Sequence, residues 1–172
     1  MTTRNIVVVP YNEKWKLHFE EIAGELRVAL GELALSIEHV GSTSVPGLAA
    51  KPIIDIDVVI EDNSKLQAVI GALAKIGYQY EGNLGIPGRE AFGYEEKTHL
   101  MEHHLYVCPK DSSEFRRHLS FRDYLRGHPE AVQEYSRIKE EAARLFPHDI
   151  DGYINHKGTL IEKIYKEIGV KK

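Results

Sequence analysis

The chain has one cysteine among its 172 residues, Cys108, so no disulfide can form within it and burial must supply its stability. No apolar run approaches the roughly 18 residues of a membrane helix, and the N-terminal stretch shows no apolar segment of signal-peptide length. Basic residues are not in excess: 22 Lys and Arg stand against 26 Asp and Glu, a net charge of -4, which provides no broad field for gripping nucleic acid. Repeats, low-complexity tracts and flexible linkers are missing too. These absences point to a cytoplasmic setting, with no membrane partner and no bulk nucleic-acid partner, and they leave room for a local basic patch. What is present is 42% hydrophobic residues, enough for one sizeable core, so one domain is expected over 1–172.

Periodicity places the elements. An apolar run at 6–9, stopped by Pro10, reads as an edge strand or an extended arm. Asn12 can cap a helix whose stripe is Trp15, Phe19, Ile22, Leu26, Leu30 and Leu33, with Gly24 permitting close packing. A second helix, capped by Asn63 or Ser64, carries Leu66, Val69, Ile70, Leu73 and Ile76 and ends at Gly77. Extended segments follow at 78–80, 89–94 and 103–108, the last two as a hairpin-like pair. Beyond Asp111 the pattern is helical only, with Ser112 or Ser113, Pro129, and Asp149 or Asp151 as helix starts. The expected fold is α/β: a mixed sheet flanked by helices over 1–110 and a helical cap over 111–172, with a ligand crevice between them.

The stretch 37–60 carries the chemistry. It reads as a strand ending at Val40, a loop of small residues, and a second strand bearing Asp55 and Asp57 between Ile54, Ile56 and Val58. Strand alternation sends both carboxylates to one face and the aliphatic residues to the other. Two like charges aimed at one spot suit a hard divalent cation. Gly41 and Ser42 follow a strand directly, where backbone N–H groups can turn to a phosphate; Thr43 and Ser44 add hydroxyls and Lys51 a charge at the strand entrance. Arg122 and Arg126 lie four apart and share a helix face suited to an anion, beside Asp123. His118, His128, His148 and His156 share no metal-ligand spacing and are expected at the surface or in caps.

A Gly-Ser turn, twelve residues, then Asp-hydrophobic-Asp resembles the signature of the nucleotidyltransferase superfamily. The run GSTSVPGLAAKPIIDI, with HLYV at 104–107, LSFRDYLRGHP at 119–129 and the spaced Tyr135, Lys139, Tyr153 and Lys157, resembles the GrpB-like family within it. The resemblance implies that the turn holds nucleotide phosphates, that Asp55 and Asp57 hold Mg²⁺ or Mn²⁺, and that Lys139 and Lys157 occupy basic positions of the family. It also implies a third carboxylate, or its substitute, on the neighbouring strand. There His104 and Tyr106 share a face, with Glu102 one step earlier, and family members commonly carry His where this chain has Tyr106. Either Glu102 completes the acidic site or His104 replaces the third acid as ligand or base. The implied function is metal-dependent nucleotidyl transfer from a nucleoside triphosphate to an unknown acceptor. Asp55, Asp57 and His104 would be catalytic; Gly41, Ser42, Thr43, Ser44, Lys51, Tyr106, Arg122, Arg126, Lys139 and Lys157 would bind the nucleotide. The alternative is a module that binds a nucleotide or phosphorylated metabolite without turnover, linked to coenzyme A because GrpB-like domains occur fused to dephospho-coenzyme A kinases. A purely structural domain is the third reading, and the intact aspartates oppose it.

Overall fold

β2 (Ile54–Ile60) is an inner strand of the sheet, and its Ile54, Ile56 and Val58 have no exposed surface. The computed structural model describes residues 5–169. β1 (Ser36–Val40) pairs antiparallel with one edge of β2, and β5 (His103–Pro109) pairs parallel with the other. β4 (Glu90–Gly93) and β3 (Gln79–Gly82) continue antiparallel from β5, giving the order β1-β2-β5-β4-β3. A parallel pair needs a long crossover. Here α2 (Leu66–Ala74) and the β3–β4 hairpin supply it.

α1 (Lys14–Leu30) and α2 cover one face of the sheet, burying Trp15, Phe19, Ile22, Leu26, Val69 and Leu73 with the aliphatic side of β2 and β5. Asn12 accepts from Lys14 N at 2.9 Å and so closes the turn that starts α1. Before α2 the cap is Asp62, one position earlier than expected: its extended backbone lets the carboxylate accept from Ser64 N at 2.8 Å. Gly24 makes no close contact, since a Cβ there would meet nothing within 4 Å. It simply costs helix propensity. The segment at 6–9 is an extended arm: Ile6 N donates to Pro147 O, and Val9 exchanges backbone bonds with Ala50.

The helical third begins with α3 (Ser113–Arg126), capped by Ser112, followed by α4 (Pro129–Leu145), opened by its proline, and α5 (Ile150–Ile168), capped by Asp149. These helices enclose a second core with Val45 and Leu48 of the β1–β2 loop, including Leu125, Val132, Tyr135 and Leu160. α3 lies over the second face of the sheet. Phe115 packs on Val59 and Cys108, His118 meets Asp57, and Arg122 and Arg126 reach β1 and the loop after it. Spacings of three and four put these residues on one side of the helix. No helix among the described residues is long and apolar enough to cross a membrane.

Candidate functional site

The parallel register sets Asp55 beside His104 and Asp57 beside Tyr106, while Leu105 and Val107 are buried on the opposite face. His104 Nδ1 lies 3.0 Å from Asp55 Oδ1, with the side chains 51% and 32% exposed. The bond to Asp55 raises the His104 pKa against the effect of burial. The two aspartates expected to share one cation are not equally open, and Asp57 is closed to solvent. Its side chain has no exposed surface, because α3 lowers His118 onto it, with Nδ1 2.6 Å from Oδ2. The other oxygen, Asp57 Oδ1, is buried without a hydrogen-bond partner. Burial pushes the Asp57 pKa up, and the bond to His118 offsets this only in part. Burial acts downward on His118, but its bond to Asp57 and the carboxylate charge prevail and raise it. His118 is therefore neither a cap nor a free surface residue. The signal that could have found it was its place in the α3 stripe that also holds Phe115 and Arg122, which must face the sheet if α3 covers it.

The turn after β1 is shaped by Gly41. Its φ of +73° is left-handed, and a Cβ there would stand 2.3 Å from Asp55 Oδ2, so only glycine allows the carboxylate to come this close. A 3₁₀ turn, Ser42–Ser44, follows. The hydroxyls expected to meet phosphate are engaged within the protein: Ser44 donates to Gly41 O, and Thr43 Oγ1 is 2.8 Å from His39 Nε2. Ser42 is engaged as well, accepting from Lys139 Nζ at 2.6 Å.

That bond opens onto a cavity of about 240 Å³ lined by Ser42, Lys51, Asp55, His104, Lys139, Tyr153 and Lys157, among others. Lys139 is 2% exposed. Burial, then the charges of Lys157 and Lys51, hold its pKa well below the usual lysine value. Lys157 is lowered to about 8 by burial and by Lys51. Tyr153 offers a buried hydroxyl without a hydrogen-bond partner, and the ammonium groups of Lys51 and Lys157 lie 5.3 and 4.7 Å from its ring centre. Lys139 and Lys157 thus converge from different helices beside Asp55. Arg122 and Arg126 do not join them. Arg122 bonds His39 O at 3.1 Å and pairs with Glu38 and Asp123, and Arg126 bonds Ser44 O at 2.8 and 3.1 Å. The irregular loop leaves carbonyls for a planar guanidinium to bind, so the two arginines brace the turn from behind.

Glu102 is exposed and lies just before β5; its side chain lines a neighbouring cavity of about 620 Å³, which His104 and Tyr106 also border. Arg89 stacks over the Tyr106 ring at 4.1 Å. His128 bonds Tyr124 O, His156 lies 3.7 Å from Glu141, and His148 is exposed, as expected of them. Among the described residues no group of three His, Cys, Asp or Glu stands ready to hold a metal. Mg²⁺, however, is usually held by one or two carboxylates together with phosphate oxygens and water. The two aspartates fit that use: they are hard oxygen donors, His104 takes only Oδ1 of Asp55, and Asp57 retains one unpartnered oxygen.

The sequence family described as GrpB protein matches residues 5–167. The chain belongs to the GrpB family. It is 35% identical over 161 residues to UPF0157 protein YqkA of Bacillus subtilis, covering 92% of this chain and 46% of that protein. It likewise spans 66% of UPF0157 protein PA4798 of Pseudomonas aeruginosa, at 36% identity. Glutamate-rich protein GrpB of Alkalihalophilus pseudofirmus is 31% identical, with 95% of each chain covered. A dephospho-CoA kinase of Mycolicibacterium paratuberculosis matches 96% of this chain over 48% of its own length, at 24% identity. The crystal structure of conserved protein GrpB from Enterococcus faecalis superposes with a TM-score of 0.82 and 39% identity, covering 94% of this chain and 96% of that one. Cid1 in complex with its short product ApU superposes with a TM-score of 0.52 at 12% identity, over 77% of this chain and 40% of that one. The chain thus has a nucleotidyltransferase-like fold.

Proposed function

We propose that this GrpB protein binds the phosphates of a nucleoside triphosphate in the lysine-lined cavity and transfers the nucleotidyl group to an acceptor. The observation that carries the reading is the convergence of Lys51, Lys139, Lys157 and the Tyr153 ring on Ser42 and Asp55. Three amines packed into so small a volume, with Asp55 as the acidic neighbour, repel one another until an anion enters. Asp55 and Asp57 would hold Mg²⁺ or Mn²⁺, which stabilises charge on the attacking and leaving oxygens of an in-line displacement. Ser42 orients Lys139, Gly41 keeps the Asp55 carboxylate against the turn, and the half-exposed His104 would accept the acceptor's proton at Nε2.

A second reading has its own support. β5 presents His104 and Tyr106, not a carboxylate, opposite the aspartates, which suits a module that binds a phosphorylated ligand without turnover. The likeness to a dephospho-CoA kinase would place such a module near coenzyme A metabolism. One experiment separates the two: incubation with each nucleoside triphosphate and Mg²⁺, following both thermal shift and pyrophosphate release. Binding with release supports transfer, binding alone supports the module, and no binding of any triphosphate defeats the transfer reading. Because Lys157 loses its proton near pH 8, triphosphate affinity should fall as pH rises from 7 to 9, and Lys157→Met should flatten that fall. Charge-assisted contacts are worth about 1.5–3 kcal/mol, so Lys139→Met should weaken binding roughly ten-fold or more.

A further inference from the structure

We infer that His118 is a positioning residue for divalent-cation binding: it fixes Oδ2 of Asp57 from α3 and leaves Oδ1 as the oxygen presented to the cation. The inference rests on the reading that Asp55 and Asp57 hold such an ion. His118 is tied at both ends. Its Nδ1 is 2.6 Å from Asp57 Oδ2, its Nε2 is 3.5 Å from Glu114 Oε1, and the Glu114 carboxylate takes Arg117 Nη1 at 3.0 and 3.3 Å. The helix beneath the ring is anchored on either side, by Phe115 against Val59 and Cys108 and by Arg122 against Glu38 and His39 O. The stretch of α3 that carries the imidazole is therefore held against Asp57 on both sides. A buried carboxylate with one oxygen held in this way and the other unpartnered is costly in the metal-free protein, and it matches a ligand carboxylate set by an outer-shell hydrogen bond. Asp55 has the same arrangement in a more open form, with His104 on one oxygen. A merely competing imidazole would need no brace of its own, whereas the Glu114–Arg117 pair provides one.

Calorimetric titration with Mn²⁺ alone, on the full chain, tests this. Losing an outer-shell partner typically costs about 10–100-fold in metal affinity, and His118→Ala should show a loss of that size. His118→Asn, whose amide can still donate to Oδ2, should restore affinity towards that of the parent. Inorganic phosphate binding in the lysine cavity should be the same in all three proteins, which general damage to the fold would not leave intact. Should His118→Ala fail to fold, Glu114→Ala takes its place: it frees the far end of the ring, and it too should weaken Mn²⁺. Mn²⁺ binding by His118→Ala, or by Glu114→Ala in its stead, as tight as the parent's or tighter would overturn the inference and make the imidazole a bystander or a competitor. A parent that binds phosphate but no Mn²⁺ would instead defeat the cation reading itself, and this inference with it.

Discussion

Asp55 and Asp57 sit two residues apart on one strand, face the same side, and are each bonded through Nδ1 of one histidine, yet they occupy different media. The Asp55 and His104 side chains are 32% and 51% exposed, while Asp57 has no exposed surface and His118 is 20% exposed. The difference is made by α3, which covers Val59 with Phe115, Asp57 with His118, and stops covering the face before Asp55. The same chemical pair is thus part of the architecture at one position and available to solvent and ligand at the other. Exposed pairs contribute little because water competes for both partners, whereas a buried charge that loses its partner has no water to replace it.

The largest consequence should appear at the buried pair. His118→Ala leaves the Asp57 carboxylate buried with neither oxygen paired, and such losses cost about 3–5 kcal/mol. Urea unfolding at pH 6 should show a loss of this size, and adding Asp57→Asn should recover part of it by removing the charge. The pH dependence has a definite sign. The folded pKa of His118 is raised, so its stabilisation is complete below the unfolded value near 6.5 and diminishes as pH rises through the folded value. The cost of His118→Ala should therefore be smaller at pH 9 than at pH 6. Equal costs at both pH values, or a cost under 1 kcal/mol at pH 6, would erase the distinction between the two ends of β2.

The sheet was legible in the sequence because strand alternation leaves little freedom: Ile54, Ile56 and Val58 had to face the core, which committed Asp55 and Asp57, and by pairing His104 and Tyr106, to the other side. Lys139 and Lys157 were legible through family resemblance, not spacing. What could not be read was how far α3 extends over the second face. That depends on long-range packing of Phe115 against Val59 and Cys108, residues that nothing local relates to one another. For the same reason Arg122 and Arg126 looked like an anion clamp. Their spacing on the helix was read correctly, but the carbonyls of His39 and Ser44 that occupy them come from a loop whose path no periodicity describes.

A second pH effect, of opposite sign, arises behind the site. His39 bonds Thr43 next to the phosphate turn, and burial, then the charge of Arg126, lower its pKa to about 4. A depressed histidine is neutral in the fold and charged in the unfolded chain, so its stabilisation is complete above 6.5 and is lost as pH falls towards 4. The gap corresponds to at most about 3 kcal/mol. The raised histidines, His104 and His118, act with the opposite sign, adding stability as the imidazoles of the unfolded chain titrate around 6.5, so they do not account for a loss at lower pH. Urea midpoints should decline between pH 6.5 and 4.5, and His39→Gln should remove much of the decline. A slope unaffected by that substitution would mean that the turn is not held by a neutral His39.

The smallest effect on stability should be at the open pair, and it is the one that makes the comparison functional. His104→Ala breaks a bond between two side chains that water can reach, so its cost should stay at about 0.2–1 kcal/mol, well below that of His118→Ala. A residue that contributes so little to folding is free to change its protonation state during a reaction, while His118 cannot do so without disturbing Asp57 and α3. If His104 takes the acceptor's proton, His104→Ala should lower pyrophosphate release by about 10²–10⁴-fold at nearly unchanged triphosphate affinity. The rate in the parent should also fall as pH drops below the raised pKa of His104, because the protonated imidazole can no longer act as base. A variant that keeps the parent rate would leave His104 as a prop for Asp55, no different in kind from His118 on Asp57. A variant that loses stability as heavily as His118→Ala would show that exposure does not separate the two pairs.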